Sequence, residues 1–594
     1  MVDLRPELLP ASKYYKNLLL ARSNSLSSKT LLISSSLLTS SLPFSHNFSW
    51  FLTCPLVFVT LPPHPYTSSP FTPSRLIVYS FTYYRASLFH THTQLYKLQY
   101  DSNSSPLPSP ATLKRFPHIN DEPSALSHSL DPFTITTKTG FLPYETAPTE
   151  LPEAFSALLS LVNRLPVVRL DGKPGLLATY ELGPAVEAEL TDLTHEVEKL
   201  LLPDGSYDRF TIAAIFRDYT FLASSYLLEP CWEHWNKDPA GGYGLGRDVL
   251  PKSVARPMYR CAEILNLPPF MSYAASYALF NYTVEDPSKG LSEYSNLRLI
   301  RSFEKGLDPK SSEAGFILTH VDMVKETGPL IAGALKVVDS MEQGASRQEV
   351  NDGFREILRS MEKIEGSMED MWGNSKPSEY LSFRVFIFGI TNQSMFPNGV
   401  VYEGCEDDKP LNFRGESGAN DSIIPLLDHL CEIPMPETPL TKILHEFRAY
   451  RPLPHREFLT YIREKSEEIG VQKYAVQDSE TAVLFLRTLN HIRSFRWRHW
   501  LFAREYIIRR TPHPTATGGS PIVTWLPNQL AAVMELMVKI YDAHLAPQEG
   551  AAVIGNEDLI ASHRKQVEPM MELVRDQKEK LAREVERWCQ ERGV

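Results

Sequence analysis

The chain has 594 residues, of which 43% are hydrophobic and 22% charged, with a net charge of -11 at pH 7. That length implies about two to four domains, the balance of residue types is that of a soluble globular protein, and the acidic charge excludes nucleic acid as the main partner, because phosphate binding needs a basic surface. The six cysteines (54, 231, 261, 405, 431 and 589) make no CxxC-type pair, which argues against a zinc or dithiol motif and suits a reducing compartment.

The first stretch differs in texture from the rest. Residues 30–74 contain no Asp, Glu, Lys or Arg. The best apolar run, "SWFLTCPLVFVTL" (49–61), is interrupted by Pro55 and falls short of the roughly 20 residues a membrane span needs, so no membrane partner is expected. Ser, Thr, Pro and Tyr dominate, and residues 1–130 are expected to be a low-complexity extension, disordered or absent from the mature product. Residues 11–30 are basic, Ser-rich and free of acid, as in a mitochondrial transit peptide. Cytoplasm is the expected location, with the mitochondrion as the alternative.

From about residue 131 helical periodicity takes over. "AAIFRDYTFLASSYL", "EVNDGFREILRSMEKIEGSMEDMW", "SIIPLLDHLCEI" and "PLTKILHEFRAY" place apolar residues three and four apart, and turn signals such as "DPAGGYG" separate the segments. The stretch 560–592 reads as a long, charged, solvent-facing helix. The expected fold class is all-α, with no GxGxxG after a strand, no GxxxxGK[ST], no HExxH, no GxSxG and no internal repeat.

Two inward histidines stand out. In the helix predicted to begin at 312, Phe316, His320 and Val324 are four apart and share a face. The region 480–510 predicts one continuous helix whose apolar stripe runs Phe485, Leu489, Ile492, Phe495, His499, Phe502, Tyr506. His499 therefore points inward, while His491 lies about 80° round the helix and aims elsewhere. A buried histidine is most often a core residue hydrogen-bonded to a carbonyl or carboxylate. The sharper alternative is a metal or haem ligand, with neighbouring arginines for haem carboxylates. Periodicity leaves both open.

Several ordered segments carry a resemblance: "LPPFMSYAASYALFNY" (267–282), "GFILTHVDMV" (315–324), "YLSFRVFIFG" (380–389), "GVVYEGCEDD" (399–408), "FRGESGANDSIIPLLD" (413–428), "RPLPHREFL" (451–459), "FRWRHWLFAREYI" (495–507) and "HPTATGGSP" (513–521). From about 135 to 540 the chain resembles the indoleamine 2,3-dioxygenase family in its fungal form. The resemblance implies a small helical domain (131–303) and a large one (304–594), with haem b between them and its iron ferrous in the active form. It implies a monomer that opens the indole ring of L-tryptophan with O2, giving N-formyl-L-kynurenine, the first step of the kynurenine pathway towards NAD. His499 matches the haem ligand, and Arg496 and Asp428 match a pair tying its helix to the pocket. Ser417, Gly418 and Ala419 match a small-residue loop beside the haem. Tyr273, Phe316 and Tyr380 match substrate-pocket aromatics, and Arg384 the arginine that grips the substrate carboxylate. Thr517, with Gly518 and Gly519, resembles a loop that closes over substrate. His320, with Arg384, is the expected catalytic side chain. It stands where mammalian members carry serine and related tryptophan 2,3-dioxygenases carry histidine. Tyr380 replaces a phenylalanine, and Gly418 and Ala419 swap the family's order. A haem-binding sensor or low-activity paralogue of the same fold, and a cofactor-free helical interaction protein, are the competing readings.

Overall fold

The computed structural model describes residues 116–594 apart from 436–438, 514, 548–556 and 593–594. The low-complexity and transit-peptide readings of residues 1–115 lie outside the described residues. The remainder is all-α in class, as the periodicity predicts, with strands of only two or three residues.

Helix α1 (Arg209–Lys237) is the centre of the first half. The Asp208 side chain accepts from the Thr211 amide and starts the helix. Nearly every residue from Phe210 to Trp232 is buried, so the helix shows no polar face and is surrounded by protein. It carries a buried charge cluster in which Arg217 Nε donates to Asp218 Oδ1 (2.9 Å) and Arg301 Nη2 to Asp218 Oδ2 (2.7 Å). The two guanidinium groups hold the Asp218 carboxyl below its usual range against the opposing effect of burial. This cluster binds α1 to the chain after a short hairpin of β2 (Tyr282–Val284) and β3 (Leu297–Leu299). Helix α2 (Lys252–Leu265) packs along α1. Strand β1 (Val249–Leu250) pairs parallel with β4 (Val400–Tyr402), which pairs antiparallel with β5 (Pro410–Leu411).

The second half is a packed set of helices. Helix α3 (Ser312–Val324) begins with Ser311 accepting from the Ala314 amide. It is followed by α4 (Thr327–Glu342) and α5 (Arg347–Glu369), two helices packed together, with α5 opened by a Ser346–Glu349 capping box. Helices α6 (Ile423–Leu430) and α7 (Leu453–Ile469) pack on each other. Helix α8 (Ser479–Phe502) lies against α5, α9 (Ile522–His544) and α10 (Glu557–Arg592). The charged helix α10 buries Val567, Met571, Val574 and Leu581, so only part of its surface meets solvent.

The helix predicted over 480–510 is continuous but not uniform, because Ala503–Ile508 forms a π-helical turn. Such wide turns shift the register of the side chains that follow. Among the described residues no helix is long and apolar enough to cross a membrane.

Candidate functional site

Two linked hollows flank the second half of α8. One, of about 1150 Å³, is lined by Phe316, His320, Tyr380, Glu416, Phe502, Tyr506 and Thr517 among others. The second, of about 810 Å³, is lined by Asp428, His429, Arg448, Arg451, Arg496 and Gln529 among others. Gly418, Asp421, Phe495 and His499 line both. The stripe on α8 therefore delivers His499 to the junction of the two hollows.

The His499 imidazole makes no hydrogen bond to any described residue and presents itself to this space. Burial first, and then the charge of His320, push its pKa down to about 4, so it is a neutral base with a lone pair available. His491 goes elsewhere, with Nδ1 2.7 Å from Glu365 Oε1. On α3, His320 Nδ1 lies 2.8 Å from the Phe316 carbonyl oxygen. A carbonyl only accepts, so Nδ1 carries the proton and Nε2 is left facing the hollow. Burial lowers the pKa of His320.

Aromatic rings pack round His320. Phe316 lies 4.9 Å and Tyr273 5.6 Å from it, both edge to face. Tyr380 stands 5.4 Å from Phe316 and 5.6 Å from Tyr506. The Tyr506 hydroxyl donates to the Ser375 carbonyl at 2.5 Å, which fixes that wall. Tyr273 sits in a short π-turn whose entry is set by Ser272 accepting from the Ala275 amide. Tyr273 supports His320 but is not among the side chains lining the hollow.

Arg384 is fully buried, at 0% exposure. Its Nη2 donates to the Thr515 carbonyl at 3.0 Å and its guanidinium stacks 4.6 Å from the Phe388 ring. Nε and Nη1 have no hydrogen-bond partner among the described residues. Arg384 stands behind Tyr380 rather than on the lining itself. On the other side of His499, Arg496 Nη2 donates to Asp428 Oδ2 at 2.6 Å, tying α8 to α6. Arg451 and Arg448 have pKa values lowered by burial, and burial first, then the charges of Arg448, Arg463 and Arg451, push His429 down to about 3. That hollow is thus a positive environment suited to carboxylates.

Three loop segments close the first hollow, and the backbone knits them together. The Gly389 amide donates to the Thr517 carbonyl at 3.0 Å, and the Ile390 amide to the Phe413 carbonyl at 2.7 Å. Thr517 Oγ1 donates to the Glu416 carbonyl at 2.6 Å, and Arg414 Nη1 to the Gly518 carbonyl at 3.0 Å. Gly519 has φ of +80°, a conformation that favours glycine. Ser417 and Gly418 lie at the mouth shared by His320 and His499, while the Ala419 side chain lies outside the described residues.

The structure thus brings Phe316, His320, Tyr380, Ser417, Gly418, Thr517 and His499 to one hollow, sets Tyr273 and Arg384 just behind it, and puts Asp428 and Arg496 on the second. Sequence reasoning missed Glu416, Asp421 and the methionines Met323, Met368 and Met371 that also line the first hollow. The only signal for Glu416 was an acid set among small residues in "RGESGA".

The residues present fit a haem. Among the described residues no three or more His, Cys, Asp or Glu side chains gather to hold a bare ion. A single imidazole such as His499 is the kind of protein donor that an iron macrocycle accepts. The adjoining guanidinium groups suit the carboxylates that such a macrocycle carries.

The family model described as indoleamine 2,3-dioxygenase matches residues 129–522. The chain is 27% identical to an indoleamine 2,3-dioxygenase of Saccharomyces cerevisiae over 59% of this chain and 77% of the yeast protein. It is likewise 27% identical to indoleamine 2,3-dioxygenase 1 of Mus musculus, over 61% of this chain and 80% of the mouse protein. A 6-hydroxytryptophan 2,3-dioxygenase of Fusarium equiseti is 24% identical over 57% of this chain and 74% of its own length.

Proposed function

Because the chain belongs to the indoleamine 2,3-dioxygenase family, we propose that this dioxygenase binds haem b through His499 and opens the C2–C3 bond of L-tryptophan with O2 to give N-formyl-L-kynurenine. The observation that carries the reading is the unpartnered His499 imidazole at the junction of an aromatic hollow and an arginine-rich one. Haem, when bound, supplies the activation of O2. Arg496, Arg448 and Arg451, which line the second hollow, would receive its carboxylates, and the Arg496–Asp428 bond holds the helix that carries His499.

The protein's own part is to position and to exclude water. Phe316, Tyr380 and Tyr506 form a box for the indole ring. Arg384, set just behind Tyr380 with two nitrogens unpartnered among the described residues, would take the substrate carboxylate as Tyr380 shifts to admit it, a task suited to a planar fork of donors. His320 offers Nε2 as the acceptor for the indole N–H, since its Nδ1 is committed to the Phe316 carbonyl. The loop bearing Thr517 covers the hollow, and closure there strengthens each polar contact inside. We further propose the division into a small domain (131–303) and a large one (304–594), and a cytoplasmic monomer. The thiols of Cys231, Cys261, Cys405, Cys431 and Cys589 are all unpaired, which supports a reducing compartment. The relatives' names cover more than one indole, so the ring substituents accepted are part of the test.

The test is reconstitution of the full chain with haem, followed by turnover of L-tryptophan read as N-formylkynurenine absorbance, beside the His499→Ala variant. The expected result is product formation by the parent and loss of stable haem binding in the variant. Full haem retention by His499→Ala, or a normal haem spectrum with no product from any indole, would overturn the reading.

A further inference from the structure

Glu416 is an anomaly in the first hollow. Its side chain is 3% exposed, in a hollow whose lining also includes Phe316, Met323, Met368 and Phe502. Among the described residues its carboxyl has neither a hydrogen-bond donor nor a cation. Its backbone carbonyl accepts from Thr517 Oγ1, which fixes where the side chain starts. Burial pushes its pKa up to about 8, with no attraction to offset it. Such a group is costly to keep unless an occupant of the cavity compensates it.

Arg384 is the mirror case. It is fully buried, with two donors unmet, and no ion pair links it to Glu416. Tyr380 stands within reach of both, since the charge of Arg384 lowers the pKa of its hydroxyl and that of Glu416 raises it. The hollow thus has an unpaired acid on its lining and, just behind Tyr380, a guanidinium with two unmet donors, and the two do not neutralise each other. A zwitterionic α-amino acid complements both, its carboxylate facing the guanidinium and its ammonium favouring release of the Glu416 proton, which leaves a carboxylate to pair with it.

We propose that Glu416 receives the α-ammonium of the substrate, so that this site selects indoles bearing a free cationic amine. The inference rests on the reading of the hollow as an indole-amino-acid site and adds the group that reads the amine. The groups that feel the charge of Glu416 are the hydroxyls of Tyr273, Tyr277 and Tyr380, and His320, His499 and Asp421 line the same hollow.

The experiment compares the haem-loaded full chain with Glu416→Gln, an isosteric change, and Glu416→Asp, which keeps the charge. Three probes are titrated by equilibrium dialysis: L-tryptophan, tryptamine, which lacks the carboxylate, and indole-3-propionate, which lacks the amine. In Glu416→Gln, L-tryptophan and tryptamine should bind roughly 30-fold more weakly, indole-3-propionate should bind unchanged or more tightly, and Glu416→Asp should restore part of the loss. An unaltered haem spectrum in the variants shows that the fold persists. Equal weakening of all three probes, or no change for the two amines, overturns the inference. If the parent binds the probes with this pattern but yields no formylkynurenine, the catalytic reading fails and the amine site stands. If the parent binds none of them, both fail.

Discussion

The Asp428–Arg496 pair allows a quantitative test of how α8 is held. Arg496 precedes His499 by three residues, about one turn, and its Nη2 lies 2.6 Å from Asp428 Oδ2 with both side chains under a tenth exposed. Nη1 has a second, longer contact to the Gln529 carbonyl at 3.3 Å, whereas Asp428 Oδ1 has no partner among the described residues. Burial raises the Asp428 pKa in spite of the adjacent guanidinium. Desolvation is therefore the larger effect, and the two partners should not be equivalent. Asp428→Ala strands a cation that cannot shed its charge, at a cost of about 3–5 kcal/mol. Arg496→Met strands an acid that simply keeps its proton, at a cost of about 1–3 kcal/mol. Asp428→Leu combined with Arg496→Met should return to within roughly 1 kcal/mol of the parent, because an apolar pair fills the same space. Urea unfolding of the haem-free protein measures all three, and haem titration should show about 10–100-fold weaker binding in Asp428→Ala. Equal losses below about 1 kcal/mol in both single variants, with no coupling between them, would refute the ranking; a pair exposed to water behaves in that way.

Three other outcomes follow from the same geometry. Glu416 keeps its proton in the folded chain up to about pH 8, while an ordinary glutamate loses it near 4.5. Its contribution to stability is therefore complete below 4.5 and disappears as pH rises through about 8. Haem-free Glu416→Gln should accordingly match the parent near pH 4.5 and be the more stable protein above pH 8, by at most roughly 5 kcal/mol; parallel thermal-melting profiles across that range would contradict this. Gly415→Ala should destabilise by about 1–3 kcal/mol or more, because a Cβ there would overlap the Gly389 nitrogen and the Ile387 and Thr517 carbonyl oxygens. Its KM for tryptophan should rise with the loss, and an unchanged melting temperature and KM would show that the loops are not in close contact. Arg384→Lys should keep haem but reduce kcat/KM for L-tryptophan on the order of 100-fold, since an ammonium cannot reproduce the fork; wild-type kinetics would remove Arg384 from the site.

What the sequence makes legible follows from which interactions are local. Steps of three and four residues between Phe485 and Tyr506 are a property of one helix, so the inward direction of His499 can be read without knowing what it faces. The same holds for His320 four residues after Phe316, and its bond to the Phe316 carbonyl is itself an i to i-4 contact. The π-turn at Ala503–Ile508 is different. Nothing in the apolar spacing marks it, because the stripe continues through it, yet it determines that Ala503, Tyr506 and Ile507 all reach the hollow. The strands are equally silent, since two or three residues are too few for an alternating pattern. The wall that would meet the substrate's polar end is the least legible part. It is made where segments 387–390, 413–417 and 515–519 exchange backbone hydrogen bonds, over separations that no periodicity spans. Resemblance placed Arg384 and Thr517 there only because their motifs occur in order, and Glu416 escaped because its neighbours are small and its environment is set entirely by tertiary contacts. An acid in a loop reads as solvated, and only burial without a partner shows that it is waiting for a charge. The proximal helix can therefore be argued from the chain itself, whereas the selectivity of the hollow depends on how three loops meet.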